Sequence, residues 1–393
     1  MRSKIAIVAD TQLYKRLYGL NETKEDWYAA FESAFRQITE MQSEIAAVLL
    51  LGDIMDANEV GSSAAFVLQS VLKDFSATGI PVGMILGNHD NERSSPHTWV
   101  EVCELVNPNL KRLSLSEPLT VNAECKTIKI YGTDNGSKER IAAELSGLSP
   151  LEKSPGTETW LCLHQALKQL APHRFAWDVT AEQIPDWFDR VFLGDFHNTA
   201  QYTDMAGRNY IYPGSIETVS FNQTETPGFI VFDTQTNTFS HFPTQQREYI
   251  TYDSEGKPAQ QMLDELVARI GESTNRFHGK KPVVRVLYTS DNYNDYLTIQ
   301  KHIEGISLQL FAVERGTENL SAEITSVYTG NIAESGMPHT KEGILKLLPE
   351  ILEAAGVPES ESDDIQQLIL DPAKISEIKQ NRFPEAVYKK VQL

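Results

Sequence analysis

Three short apolar runs set the rhythm of the amino-terminal third: KIAIVA at 4–9, AAVLLL at 46–51 and PVGMIL at 81–86. Runs of this length, bounded by polar residues, read as buried strands. Between them, residues 25–41 and 63–78 carry apolar positions at helical spacing, so the chain opens as β-α-β-α-β. That alternation is the signature of an α/β fold with a parallel sheet. Further strands are predicted at 126–131, 158–163, 190–193, 199–204, 209–212, 229–233 and 238–242, the later ones as an antiparallel meander. The Pro/Gly/Ser-rich segment 148–157 reads as a loop. After residue 245 the texture changes to a helix near 259–270, a strand at 283–289, a helix near 293–304 and a strand at 307–314, a small α+β unit. The tail holds two amphipathic stretches, one with Ile344, Leu345, Leu347, Leu348, Ile351 and Leu352, the other with Ile365, Leu368, Ile369, Ile375 and Ile378. Such stretches pack on their own chain or enter a partner's groove, and the pattern leaves both open.

Each apolar run empties into polar residues. The first three end in Asp10-Thr11-Gln12, Gly52-Asp53-Ile54-Met55-Asp56 and Gly87-Asn88-His89-Asp90, and two later ones in His164 and in Asp195 with His197. In α/β folds ligands bind outside the carboxyl ends of the strands. The residues delivered there are all oxygen or imidazole donors. Hard divalent ions take carboxylate and amide oxygens, and imidazole suits Mn, Fe and Zn. Taken singly, a strand-end Asp is usually a cap and a lone His a satisfied core residue. Five such endings in one chain outweigh those readings and point to a dinuclear centre with a bridging carboxylate, built to clamp both oxygens of a phosphoryl displacement.

Composition narrows the partners. With 35 basic and 54 acidic residues the net charge is −19, which argues against strong nucleic-acid binding by the isolated chain. Three cysteines without CxxC spacing suit a reducing cytoplasm and neither disulfides nor a structural zinc. No run approaches the roughly 18 apolar residues of a membrane span. The basic start MRSKIAIVADTQL lacks a cleavage site and its apolar run ends at Asp10, so it reads as a strand rather than a secretion signal.

The order Asp-x-Gln, Gly-Asp-x-x-Asp, Gly-Asn-His-Asp, His, Gly-Asp-x-His resembles that of the calcineurin-like metallophosphoesterases over about residues 4–245. Tyr212-Pro213-Gly214-Ser215-Ile216-Glu217, with Pro227-Gly228-Phe229 and the loop from Leu13 to Gly19, is similar to the SbcD-type repair nucleases within that family. The resemblance implies a four-layer αββα sandwich over residues 1–245, a small α+β DNA-capping domain over 246–330, and a C-terminal helical segment over 331–393 that binds an SbcC-type coiled-coil ATPase. It implies a metal-dependent nuclease acting on DNA ends, cytoplasmic, with two divalent ions per chain, and a homodimer within the complex; the helices near 25–41 and 63–78 could form such a face.

Carried over residue by residue, one ion would be held by Asp10, Gln12, Asp53 and His197 and the other by Asp53, Asn88, His164 and Asp195. His89 would serve the leaving oxygen and Asp90 would orient His89, while Asp56 has a structural part. The chain departs from the family at Gln12 and Asp195, where histidines are usual; both swaps replace nitrogen by oxygen, so the expected ion is Mn²⁺, or Mg²⁺, rather than Zn²⁺. Lys15, Arg16, Arg93 and Arg208 lie near the metal motifs and are the expected DNA contacts. Two other readings are a phosphodiesterase or phosphatase acting on a small or nucleotide substrate, and a catalytically weakened scaffold subunit.

Overall fold

The computed structural model describes residues 2–56, 61–90, 99–124, 126–149, 154–171, 177–254, 257–288 and 293–314. Its internal contacts divide the chain into a large unit, built mainly from residues up to Ile250, and a smaller one that takes in Thr251–Leu266 and Arg285–Glu304.

The large unit is built on two six-stranded sheets. The first contains β1 (Lys4–Val8), β2 (Ile45–Leu51), β3 (Val82–Ile85), β4 (Leu110–Arg112), β11 (Gly228–Asp233) and β12 (Thr238–Pro243), in the order β12-β11-β1-β2-β3-β4. The second contains β5 (Leu119–Ala123), β6 (Lys126–Thr133), β7 (Thr157–His164), β8 (Arg190–Gly194), β9 (Ala200–Thr203) and β10 (Asn209–Tyr212), in the order β5-β6-β7-β8-β10-β9. The central pairs β1–β2, β2–β3, β6–β7 and β7–β8 are parallel, so within each sheet their carboxyl ends lie along one edge.

Side-chain alternation explains the layers, because successive residues of a strand point to opposite faces. On β1, Ala6 and Val8 pack with Trp27, Phe31, Ala34 and Phe35 of α1 (Asn21–Glu40) and with Leu68, Leu72 and Phe75 of α2 (Ser62–Ser76). Ile5 and Ile7 face the other way, joining Ile128, Ile130, Trp160, Cys162 and Phe192 of the second sheet. That sheet's outer face, with Tyr131, Leu161, Leu163, Val191 and Leu193, is covered by Ile141 and Leu145 of α4 (Lys138–Ser146). Helix, sheet, sheet, helix is the four-layer sandwich expected from the sequence.

One expectation is corrected. The later strands do not form one continuous meander: β9 and β10 pair antiparallel at the edge of the second sheet, whereas β11 and β12 form an antiparallel hairpin in the first, where β11 also lies antiparallel to β1. Phe229 and Val231 of β11 face the α1–α2 core and Ile230 and Phe232 the inter-sheet core, so its apolar run, dense on both faces, marks the inner strand of that hairpin. The pattern also passed over α3 (Trp99–Val106), β4, β5 and α4, which are short or half-exposed.

Beyond them, β13 (Tyr249–Asp253), β14 (Val283–Tyr288) and β15 (Gln309–Glu314) form a three-stranded sheet in that order, accompanied by α5 (Ala259–Arg276) and α6 (Tyr293–Ile303). Within the smaller unit, Glu265 accepts from Tyr252 Oη and Lys257 Nζ, each at 2.7 Å. The two amphipathic stretches of the tail lie outside the described residues. Among the described residues no helix is long and apolar enough to cross a membrane.

Candidate metal centre

The carboxyl ends of β1, β2, β3, β7 and β8 deliver the polar residues singled out in the sequence to one rim. The backbone there is unusual: Asp10 (φ 49°), Gln12 (φ 36°), Asp53 (φ 47°) and Asp195 (φ 101°) all occupy the positive-φ region that side chains disfavour. Each such residue costs on the order of 1–3 kcal/mol and persists only where its surroundings over-determine it. Main-chain bonds do so here, with Asp10 N donating to Gly52 O (3.1 Å) and Gln12 N to Asp53 O (2.8 Å). Glycine is required beside these turns. A Cβ on Gly52, itself at φ +83°, would lie 2.5 Å from His164 Nδ1, and one on Gly87 would overlap Asp53 Oδ1.

Asp10, Asp53 and His164 are fully buried and offer ligand atoms within 4.8 Å of one another. His164 Nδ1 lies 2.7 Å from Leu51 O; a carbonyl only accepts, so Nδ1 carries the proton and Nε2 faces inward. Nε2 is buried without a hydrogen-bond partner, 3.4 Å from Asp53 Oδ1 and 3.9 Å from Asp195 Oδ1. Across the site Gln12 Nε2 lies 3.2 Å from His197 Nε2, and Gln12 Oε1 is likewise buried and unpartnered. Three carboxylates, an inward imidazole and an orphaned amide oxygen form a donor set that fits divalent cations.

Residues 3–232 match the calcineurin-like phosphoesterase family. The chain belongs to that family. The match gives this calcineurin-like phosphoesterase a metal-dependent hydrolase domain over more than half its length. Among curated proteins, it is 29% identical over 221 residues to the DNA double-strand break repair protein Mre11 of Sulfurisphaera tokodaii, covering 54% of each chain. It is 26% identical over 281 residues to the protein of the same description from Methanosarcina mazei, covering 68% of this chain and 43% of that one. The chain thus spans about half the length of the curated relatives it matches. A crystal structure of a Thermus thermophilus protein aligns over 62% of this chain and 100% of that one, at 11% identity and a TM-score of 0.41.

Around this phosphoesterase centre the turn 88–90 carries an exposed Asn88 and a half-buried His89. His89 N donates to Asp53 Oδ1 (3.0 Å), its Nδ1 meets Asp56 O at 2.6 Å, and its Nε2 is 3.8 Å from Asp53 Oδ2. Asp90, expected to orient His89, has a different place. Its buried carboxylate accepts from the main-chain amides of Ile54 (3.1 Å), Met55 (2.9 Å) and Gly87 (2.9 Å), so it braces the loop that carries Asp53. It is the Asp56 carbonyl that sets the His89 ring, a contact with no sequence signal because every residue has a carbonyl.

Charge follows from this packing. Burial drives the Asp10 carboxyl well above its usual range, partly offset by His164. Burial pushes Asp53 the same way, but His164 and His89 prevail and hold it low. Burial and the Asp53 charge raise Asp90 to about 6. His164, against its own burial, is raised by Asp53, Asp10 and Asp195, while burial and Lys15 lower His197 to about 3. Several acids converging on one imidazole is an arrangement that a bound cation relieves.

The four expected DNA contacts separate. Arg16 is exposed, whereas Lys15 Nζ pairs with Asp56 Oδ1 at 2.9 Å. Arg93 lies outside the described residues. Arg208 is withdrawn from phosphate contact: it is nearly buried, binds Asp204 Oδ2 (3.0 Å), and donates to the carbonyls of Ala181, Ile184 and Pro185. The Tyr212–Ser215 segment proves to be a brace for the rim. Tyr212 Oη donates to Gln165 O (2.7 Å) and accepts from Leu167 N (2.8 Å), just beyond His164, and Ser215 N donates to His197 O (3.0 Å).

Proposed function

We propose that this chain is a metal-dependent DNA nuclease that hydrolyses phosphodiester bonds at DNA ends, the nuclease subunit of a complex with an SbcC-type coiled-coil ATPase. The observation that carries the reading is the buried Asp10–Asp53–His164 cluster with half-exposed His89 at its mouth. The two relatives described as DNA double-strand break repair proteins support DNA as the substrate class.

In this reading Asp10, Gln12, Asp53 and His197 hold one divalent ion and Asp53, Asn88, His164 and Asp195 a second, with Mn²⁺ the preferred ion and Mg²⁺ the alternative. When bound, the ions supply Lewis-acid polarisation of the scissile phosphate and activation of the attacking water. The protein supplies the rest. Asp53 is held by His89 N and its loop by Asp90. His89, with Nδ1 fixed on the Asp56 carbonyl, presents Nε2 to the 3′ oxygen that leaves and provides its proton. Arg16, Lys15 and Arg93 contact the phosphate backbone beside the rim, Lys15 by exchanging Asp56 for a phosphate.

Residues 246–330 serve as the DNA-capping domain and 331–393 as the ATPase-binding segment, in a cytoplasmic complex. A homodimer is supported by apolar side chains left outside on the first-sheet helices, Phe66 of α2 at 70% exposure and Leu105 of α3 at 84%. With net charge −19 the isolated chain grips DNA weakly, and the partner ATPase supplies most of the affinity.

The test is a comparison of kcat/KM, with Mn²⁺, for an end-labelled DNA duplex and for bis-p-nitrophenyl phosphate. DNA preferred by about a hundredfold or more, roughly 2.7 kcal/mol of discrimination, is expected. A preference for the small diester would move the substrate to that class. Hydrolysis of neither, with or without the partner ATPase, would leave a scaffold.

A further inference from the structure

The two sides of the candidate metal centre are not built alike. On the Asp53 side the inward nitrogen of His164 is free to take a cation, and Asp53 and Asp10 keep spare lone pairs beside the main-chain amides of His89 and Asp195 that they accept from. His164 Nε2 has no hydrogen-bond partner, its ring is already locked by Nδ1 on Leu51 O, and it faces the carboxylates of Asp53 and Asp195 at 3.4 and 3.9 Å. Asp10 and Asp53 complete a compact buried cluster with it. A cation entering there breaks no hydrogen bond and is met by carboxylate charge.

On the other side, beside Asp10 (3.9 Å from His197 Nε2), the two remaining donors, Gln12 and His197, are neutral and engaged with each other. Gln12 Nε2 sits 3.2 Å from His197 Nε2. In that orientation the amide N–H donates into the imidazole lone pair, the same lone pair a metal needs. With the amide turned over, Oε1 would accept from His197 Nε2–H, and the lone pair would again be missing. Either way Gln12 occupies the coordinating nitrogen of His197. The Gln12 side chain is held in place from behind: its residue is 1% exposed, and its own amide N donates to Asp53 O at 2.8 Å.

We propose that Gln12 is a latch on one ion position, so that this chain binds one divalent ion tightly on the Asp53–His164–Asp195 side and a second one weakly, on the side of Asp10 and His197, by opening the Gln12–His197 contact. The inference rests on the metal-dependent reading above and concerns ion binding, not turnover. A cation on the latched side costs a protein hydrogen bond and meets the neutral amide oxygen of Gln12 where the other side offers the carboxylate of Asp195. A difference of about tenfold or more between the two dissociation constants follows. At ion concentrations between those constants the chain holds a single ion, and the second position fills as the ion concentration rises.

The experiment is a Mn²⁺ titration of the full chain, with free Mn²⁺ read by electron paramagnetic resonance and no substrate present. The wild type is expected to show one tight and one weak class, separated by about tenfold or more. Gln12→His, and independently Gln12→Glu, should tighten the weak class and leave the tight one within about threefold, because both remove the amide N–H and supply a stronger donor. Asp195→Asn should weaken the tight class. Since the Gln12 variants are expected to gain affinity, misfolding cannot imitate the result. Two equal classes in the wild type, or weak-class affinity unchanged in both Gln12 variants, would overturn the latch while leaving the metal-dependent reading intact. No Mn²⁺ bound at all would overturn both.

Discussion

Replacing Arg208 by Ala should unfold the protein more readily and leave its DNA contacts alone. The guanidinium binds Asp204 Oδ2 at 3.0 Å and the carbonyls of Ile184, Pro185 and Ala181 at 3.1, 2.7 and 3.2 Å. Its side chain is 11% exposed and that of Asp204 14%, so solvent replaces little of what is lost. Asp204 keeps bonds from Arg208 N and Tyr210 Oη, which limits the damage on the acid side. The three carbonyls lose a charged donor together. A hydrogen bond to a charged group is worth about 1.5–3 kcal/mol, and breaking a buried pair about 3–5 kcal/mol; sharing one guanidinium among four acceptors keeps the sum near about 3–4 kcal/mol. In a unit of this size that is a fall in Tm of about 6–16 °C. The assay is urea denaturation, followed by DNA affinity of the Mn²⁺-loaded complex as a function of salt. The slope of log K against log salt should be unchanged, because no phosphate contact is removed. A variant of full stability whose salt slope falls by about 1 would refute this placement and return Arg208 to the DNA.

Asp90→Asn leaves one acceptor oxygen for three main-chain donors, so at least one of the Ile54, Met55 and Gly87 amides loses its partner. Stability should drop by about 1–3 kcal/mol and Mn²⁺ affinity should fall with it; full stability with only the pH profile of turnover altered would make Asp90 a partner of His89 instead. Glu217 is buried and raised to about 8, first by burial and then by Asp26, against the Thr218 and Gln246 amides and Lys280. A carboxyl raised in the folded state binds its proton more tightly there, so its contribution is complete below the ordinary 4.5 and is lost as pH rises toward about 8. The wild type should therefore lose stability relative to Glu217→Gln across that interval, with a slope approaching about 1.4 kcal/mol per pH unit; a difference that is flat or of opposite sign would contradict it. Phe66→Glu should dissociate a dimer whose face includes α2 in sedimentation equilibrium; an unchanged mass would place the dimer face elsewhere.

The strand ends were legible because the sequence spells them twice, as apolar runs and as the polar residues that terminate them. β1, β2, β7 and β8 could hardly be read otherwise, and the residues after them converge as that reading requires. Less was legible where one residue type serves two purposes. Asp90 sits one position from His89 and Arg208 just ahead of the Tyr212–Ser215 segment, yet most of their partners are main-chain groups, those of Ile54 and Met55 and of Ala181, Ile184 and Pro185, which leave no trace in composition. The positive φ of Asp10, Gln12 and Asp53 is silent for the same reason: glycine would have announced it, whereas these residues are held by tertiary hydrogen bonds. Short elements such as β4, where only Leu110 is buried, carry too few apolar positions to show a period. The hairpin spacing of β11 and β12 was legible, but the crossover that sets β11 against β1 in the first sheet leaves no local signal.

The most direct test of the central claim is cleavage of an end-labelled DNA duplex with Mn²⁺, by the chain with its ATPase partner and by the same complex carrying His89→Ala. The account predicts metal-dependent cleavage by the wild type that the variant loses while still binding Mn²⁺. Equal cleavage by both would contradict the role of His89, and no cleavage by the metal-loaded wild-type complex would contradict the nuclease itself.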